Sequence, residues 1–403
     1  MTKGWTEESF TKCIQKTIIY RDNQVKKEHY LAHGKHPIID QGQNKIAGWT
    51  NSNGLIITND LPYIVFGDHT RIFKYIDFPF ALGADGTRLI KPKKNINPRF
   101  FYYVLNSLTI QSRGYSRHYK LLKEQTIPFP PLPEQKKIAA VMLKIQQSIT
   151  AQEKIIESLL DLKKSTMQHL FAKGLHGEKT KMTENGSIPK SWKIKPLGKC
   201  CTVQTGIAKG RKIDPAEAIE LPYLRVANVQ NGYLDLTKMK TILLRKSELA
   251  RFSLQNGDVV LTEGGDFDKL GRGFVWEGQI ASCVHQNHVF AVRSNAKEIL
   301  PHFLAYLAQS PYGRAYFLRV AHKTTNLACI NTTKLKQMPV PLPSLQEQED
   351  IINVLQNIDK KLKHNNSRKH TLQSLFKTTL NKLMTGKIRV SDLDIDVKEV
   401  EDV

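Results

Sequence analysis

The sequence predicts an α/β protein built twice. Two strand-rich modules are each followed by a long helix, and the helices pack as an antiparallel coiled coil about a pseudo-twofold axis. Three observations predict this. First, an offset of 213 residues aligns two segments without a gap from Leu132, matching Glu134 with Glu347, Gln135 with Gln348, Ile138 with Ile351, Ile145 with Ile358 and Leu170 with Leu383. Second, apolar residues in both segments recur in alternating steps of three and four, the spacing of a coiled-coil seam. Third, the regions before the helices share only anchors. Trp5, Phe10 and Cys13 match Trp192, Leu197 and Cys200 at an offset of 187, and Pro98, Phe100 and Tyr103 match Pro301, Phe303 and Tyr306 at 203. A period this long is no solenoid, whose repeats run roughly 20–50 residues.

The first module, residues 1–126, reads as strands at 54–58, 63–66 and 87–90, separated by turn signals Asn53-Gly54 and Asp85-Gly86. A helix follows Pro98, because Phe100, Phe101, Val104 and Leu105 share one face and proline fits a first helical turn. Prolines 128, 130, 131 and 133 forbid helix and set an extended approach to the first helical region, 127–175. Its helix starts near Pro133 or Glu134 and stops at Gly174. Its seam is Ile138, Met142, Ile145, Ile149, Ile156 and Leu159, interrupted by Gln152 and Lys163. At ~1.5 Å per residue the rod is ~55 Å long. Residues 176–187 read as a polar, flexible linker. The second module spans 188–337 and the second helical region 338–388, with a helix over about 345–385. Its seam is Ile351, Leu355, Ile358, Leu362, Leu372 and Phe376, and the acidic tail 389–403 reads as disordered. Neither helix would be stable alone with its seam exposed, so each is expected to cover the other.

Composition excludes several classes. No apolar run approaches the roughly 20 residues of a membrane span, and the N-terminal residues are not those of a signal peptide. Five cysteines show no metal-ligand spacing, which fits reduced thiols in a cytoplasm. The formal net charge is +23, which points to a polyanionic partner. The excess sits in the modules: 19 basic against 10 acidic residues over 1–126, and 22 against 11 over 188–337. The second helical region and tail balance at 10 of each, as suits segments that pack on protein.

The proline-rich entry followed by a Glu-Gln helix occurs twice, as PFPPLPEQ and PVPLPSLQEQ. With Gly67-Asp68-His69-Thr70, Tyr223-Leu224-Arg225-Val226-Ala227-Asn228 and Asn256-Gly257-Asp258 in that order, the whole chain resembles the specificity subunit of type I restriction-modification enzymes. The second entry is wider by two residues. The resemblance implies two target-recognition domains with twisted sheets that read a bipartite double-stranded DNA target, separated by a gap that the helices set. It also implies two adenine methyltransferase subunits held by the helices, and two restriction-translocase subunits that can join them. S-adenosylmethionine would be bound by the methyltransferase partners and no cofactor by this chain.

No catalytic motif accompanies this reading. Asn97-Pro98-Arg99-Phe100 lacks the second proline of an adenine-methylation tetrad, and there is no GxGxxG or Walker loop. Asp258, Glu263 and Lys269 superficially match a nuclease's acidic pair and lysine, but have no metal-site context. The chain is therefore expected to be a non-catalytic subunit with no metal site.

Base edges are read by Arg, Lys, Asn, Gln and acidic side chains, and phosphates by cations. The DNA-binding candidates in the first module are His69, Thr70, Arg71 and Lys74, then Arg113, Arg117, His118 and Lys120. In the second they are Arg225 and Asn228; Glu263, Gly264 and Gly265 with Lys269 and Arg272; His285, Gln286 and Asn287, which precede His288; and Lys323, Thr324, Thr325 and Asn326. The rival class is a scaffold or inhibitor that binds nucleic acid nonspecifically.

Overall fold

The computed structural model describes residues 4–17, 24–53, 56–83, 86–111, 114, 117–267, 269–323 and 328–401. The chain divides into two compact units: residues 1–154 with 366–403, and residues 155–365. The two long helices, Leu132–Lys173 and Leu345–Met384, each contribute one part to each unit.

In the first unit six strands frame the module: β1 (Thr6–Ser9), β2 (Ile14–Gln15), β3 (Tyr63–Gly67), β4 (Phe73–Ile76), β5 (Thr87–Pro92) and β6 (Thr126–Phe129). β1 pairs antiparallel with β6, placing Thr6 opposite Phe129. The others form an antiparallel sheet in the order β2-β5-β3-β4. Ile64, Val65 and Phe66 in β3 are all buried because both sheet faces are covered. Ile64 and Phe66 face a core containing Phe101 and Met142, while Val65 faces Ile39, Phe80 and Leu89. Helix Pro98–Ser107 begins as expected, with Asn97 accepting from the Phe100 N–H at 2.9 Å.

The second unit repeats the frame: β7 (Lys193–Pro196), β8 (Cys201–Thr205), β9 (Val259–Thr262), β10 (Gly273–Val275), β11 (Val289–Ser294) and β12 (Pro339–Leu342). The sheet order is β8-β11-β9-β10. β7 pairs with β12 so that Lys193 faces Leu342, the Thr6–Phe129 register carried forward by the offsets 187 and 213. Val259 and Leu261 face one cluster and Val260 another, as in β3. Helix Pro301–Gln309 buries Phe303, Leu304 and Tyr306.

The Glu-Gln pair that opens each long helix clamps its module. Gln135 accepts from the Asn97 N–H at 3.0 Å and donates to the Pro130 carbonyl. Gln348 accepts from the Leu300 N–H at 2.8 Å and donates to the Glu298 and Pro343 carbonyls. In the first unit Glu134 holds Arg389 through two bonds of 2.7 and 2.8 Å, so the start of the first long helix meets the end of the second. In the second unit Lys163 meets Asp359, while Gly174 lies beside Glu347, so the helices there run antiparallel. Ile138, Met142, Ile149, Ile351, Leu355, Ile358 and Leu362 are buried. Ile145, Ile156, Leu159, Leu372 and Phe376 are half-buried at the seam margins.

Two sequence expectations need correction. Residues 176–187 are not an unstructured linker: Thr180–Thr183 pairs with Gly186–Pro189 as a hairpin, and Ile188 is fully buried. Its backbone satisfies itself in the ladder, and Asn185 at its turn is buried and accepts from Arg319. The tail is also ordered over its described residues. Val390 and Val400 enter the first unit's core, Lys137 donates to the Ser391 and Leu393 carbonyls, and Asn97 donates to the Val400 carbonyl. Acidic composition concealed two buried valines. Among the described residues no helix is long and apolar enough to cross a membrane.

Candidate nucleic-acid interface

The candidate surface begins where the central strand of each sheet ends. After β3, the Asp68 N–H donates to the Gly86 carbonyl at 2.7 Å, and the Asp68 carbonyl accepts from the His118 N–H at 2.9 Å. Asp68 turns its carboxylate inward, where it accepts from the Tyr119 N–H at 2.8 Å. Arg88 lies 3.6 Å from that carboxylate and 5.5 Å from the Tyr119 ring centroid, with its side chain 44% exposed. Lys123 approaches the same ring, and Arg117, Lys120 and Lys123 are exposed. The short helix Tyr119–Lys123 carries Lys120 and Lys123 of this basic rim.

Two first-module candidates, Lys74 and His118, are buried, and three others are engaged by neighbouring residues. Lys74 is buried in β4, donates to the Asp40 and Asn44 carbonyls, and lies 3.6 Å from the Asp40 carboxylate. Burial pushes its ammonium pKa down, and Asp40 opposes that shift. His118 is fully buried, with Nδ1 donating to the Asp68 carbonyl at 2.9 Å. Thr70 donates to the Gln41 carbonyl at 2.6 Å. Arg71 has φ of 63° and donates to the Ile110 carbonyl at 2.9 Å. His69 is half-buried, its N–H donating to Gln41 Oε1. Arg113 lies outside the described residues.

After β9 the same backbone frame recurs. The Glu263 N–H donates to the His288 carbonyl at 3.0 Å, and the Glu263 carbonyl accepts from the Ile330 N–H at 2.9 Å. Here the carboxylate turns outward. Its Oε2 lies 2.5 Å from His288 Nδ1, and the His288 side chain is 57% exposed. Asn287 Nδ2 lies 3.2 Å from His288 Nε2. Gly264 and Gly265 pair with Ala328–Cys329, which packs so closely that a Cβ on Gly264 would lie 2.7 Å from the Ala328 carbonyl. Gly264 therefore admits a neighbouring strand, and Gly265, with φ of 147°, holds a backbone conformation that favours glycine. Lys269, paired with Asp266, and Lys323 are exposed, and Arg272 is half-buried.

Other second-module candidates bond within the module, and two of them, Asn228 and His285, are buried. Asn228 is buried; it accepts from the Arg225 N–H and donates to the Asp235 carbonyl at 2.8 Å. Arg225 donates to the Lys238 carbonyl at 2.8 Å. His285 is buried, with Nδ1 donating to the Val289 carbonyl at 2.7 Å, and burial lowers its imidazole pKa. Gln286 accepts from the Val226 N–H at 3.2 Å. Thr324, Thr325 and Asn326 lie outside the described residues.

The structure separates the suspected nuclease set. Asp258 and Glu263 flank opposite ends of β9, and the buried Asp258 is held by two 2.8 Å bonds from Arg293. Among the described residues no group of three His, Cys, Asp or Glu could hold a metal ion. Arg88 and Lys123 were not singled out by sequence reasoning. The available signal was alternation in β5, where Arg88 sits between buried Thr87 and Leu89, and the three-residue step from Lys120 to Lys123 on one helix face.

The profile of the type I restriction modification DNA specificity domain matches residues 16–160 and 189–374. The type I restriction enzyme MjaVIII specificity subunit of Methanocaldococcus jannaschii is 26% identical over 364 residues, 87% of this chain and 84% of that protein. The MjaX specificity subunit of the same organism is 27% identical over 210 residues, and the match spans 52% of this chain and about half, 49%, of that protein. Among solved structures, the type I restriction-modification S subunit from M. genitalium aligns over 94% of this chain and 96% of its own, with a TM-score of 0.56 at 16% identity. That likeness is one of fold.

Proposed function

Because the chain belongs to the DNA specificity subunits of type I restriction-modification systems, the non-catalytic part of those complexes, we propose that residues 1–126 and 188–337 each read one half of a bipartite double-stranded DNA target. The helical regions 127–175 and 338–388 hold two adenine methyltransferase subunits, whose S-adenosylmethionine supplies the methyl group, and two restriction subunits can join that core in the cytoplasm.

One observation carries this reading: the ends of β3 and β9 share a backbone frame but present different side chains. Arg88, Arg117, Lys120 and Lys123 form a cationic rim in the first module. Glu263, Asn287 and His288, beside Lys269 and Lys323, form a mixed donor and acceptor rim in the second. Cations suit phosphates, which fix register, whereas a carboxylate suits a base amino group. The seam residues orient the helices, and exposed Ile155, Leu160, Leu162 and Leu375 supply apolar surface for the methyltransferases.

Methylome sequencing of a host carrying this chain with its methyltransferase tests the proposal. A split motif is expected, and exchanging residues 188–337 for another specificity subunit's second module should change one half only. Methylation without a motif would favour a nonspecific scaffold.

A further inference from the structure

The two long helices are near-copies along their seams. Ile138, Met142, Ile145 and Ile149 correspond to Ile351, Leu355, Ile358 and Leu362 at the offset of 213. The likeness breaks at Ile156, which the offset matches with Lys369, and again at one place where the helices meet the modules. The offsets 213 and 203 place Phe376, Gln146 and Tyr103 of the first unit where the second has Lys163, Asp359 and Tyr306.

In the first unit the contact is apolar, the Tyr103 ring meeting Phe376 at 5.9 Å between centroids. In the second it is ionic. Lys163 Nζ lies 2.6 Å from Asp359 Oδ1, and the Tyr306 hydroxyl donates to Asp359 Oδ2 at 2.7 Å. Lys163 also lies 5.5 Å from the Tyr306 ring centroid. The two charged side chains are only 15% and 26% exposed. Stability alone does not explain them, because apolar residues in such a place are often as stable as an ion pair or more so. The first unit makes the equivalent contact without charge.

We propose that Lys163 and Asp359 are a matching code between the two long helices. The pair selects first helix with second helix, and rejects pairing of either helix with its own counterpart in a second copy of this chain. The seam residues over 138–149 and 351–362 are too alike to discriminate. A first-with-first pairing sets Lys163 against Gln146 and Tyr103, with no carboxylate. A second-with-second pairing sets Asp359 against Phe376 and Tyr306, with no ammonium. Each wrong pairing strands a desolvated charge, and that penalty supplies specificity.

The test uses the intact chain, folded and then cut at a protease site placed in the exposed turn at His176–Gly177. Tagged and untagged pieces are annealed and their pairings counted by native mass spectrometry. Wild-type pieces should pair N-terminal with C-terminal almost exclusively. With Lys163→Phe and Asp359→Gln together, like-with-like pairs should rise well above the wild-type share, held short of the statistical half by the Glu134–Arg389 bonds that only an N-with-C pair makes. A charge-exchanged chain, Lys163→Asp with Asp359→Lys, should pair with itself, but its N-terminal piece should refuse the wild-type C-terminal piece. In intact chains each single change should lower Tm and each double change should restore it. Wild-type pieces that scramble would overturn the proposal, as would an apolar variant that still pairs only N with C. Should that variant fail to fold, the charge-exchanged chain decides: acceptance of the wild-type partner overturns the code.

Discussion

Asp68 and Glu263 occupy the same place in two copies of one frame and do different work. Each donates its N–H to the strand returning beside it, and each carbonyl accepts from the segment that leads into a short helix. Asp68 is 1% exposed, and its carboxylate caps the Tyr119 N–H. Glu263, one methylene longer, turns out to meet His288. The other end of each strand differs too: Lys91 approaches the Tyr63 ring at 5.3 Å, where Arg293 binds buried Asp258. Main-chain bonds tolerate any side chain, so a duplicated frame can hold still while the side chains at its ends diverge. The shared part therefore builds the module, and the divergent part is where the modules differ in what they touch.

The severest way to break the equivalence is a charge on the matched seam. Ile138 and Ile351 are 1% and 0% exposed. Ile138→Asp and Ile351→Asp should each cost about 4 kcal/mol or more, seen as a large fall in Tm and loss of methyltransferase binding. Full retention of both would separate the seam from assembly.

A gentler comparison concerns the clamps. Gln135→Ala and Gln348→Ala each remove an amide that joins a helix entry to its module. Each should cost about 1–3 kcal/mol by leaving buried backbone groups unpaired. Chemical denaturation of both variants tests this, and markedly unequal losses would show that the clamps are not equivalent.

The strand-end carboxylates should separate stability from recognition. Glu263→Gln should alter one base position in one half-site, with discrimination changed by about 1–3 kcal/mol, and leave Tm nearly unchanged. Asp68→Asn should lower Tm and leave the motif alone. Methylome sequencing and melting of both variants distinguish the two roles, and the opposite pattern would reverse them.

The smallest effect is a pH dependence at the helix entries. Burial is the main cause raising the Glu347 carboxyl pKa, although Trp192 donates to it at 3.2 Å. A carboxyl raised on folding binds more protons folded than unfolded. Stability therefore falls as pH rises from the ordinary value of about 4.3 through the folded value, and is flat above it. Glu347→Gln should remove that slope. Melting of the variant and wild type between acid and neutral pH measures it, and identical profiles would remove Glu347 as the cause.

By itself the sequence determined the duplication and the two long helices. These rest on short-range rules, periodicity and proline placement, and the offsets 187 and 213 carry Thr6–Phe129 onto Lys193–Leu342 without adjustment. It also marked both modules as basic. Tertiary structure decided which polar residues are available. Lys74, His118, Asn228 and His285 look like contacts in one dimension, yet each is buried and bonded to backbone far along the chain or across a turn. Arg88 passed unnoticed because only the sheet sets it beside Tyr119. The ordered tail has the same origin, since nothing near Val390 or Val400 in sequence says that a core 250 residues away will cover them. Local patterns fix elements because helix and strand periods act over a few residues. Burial of a polar side chain depends on what folds over it, and that is settled only by contacts between distant parts of the chain.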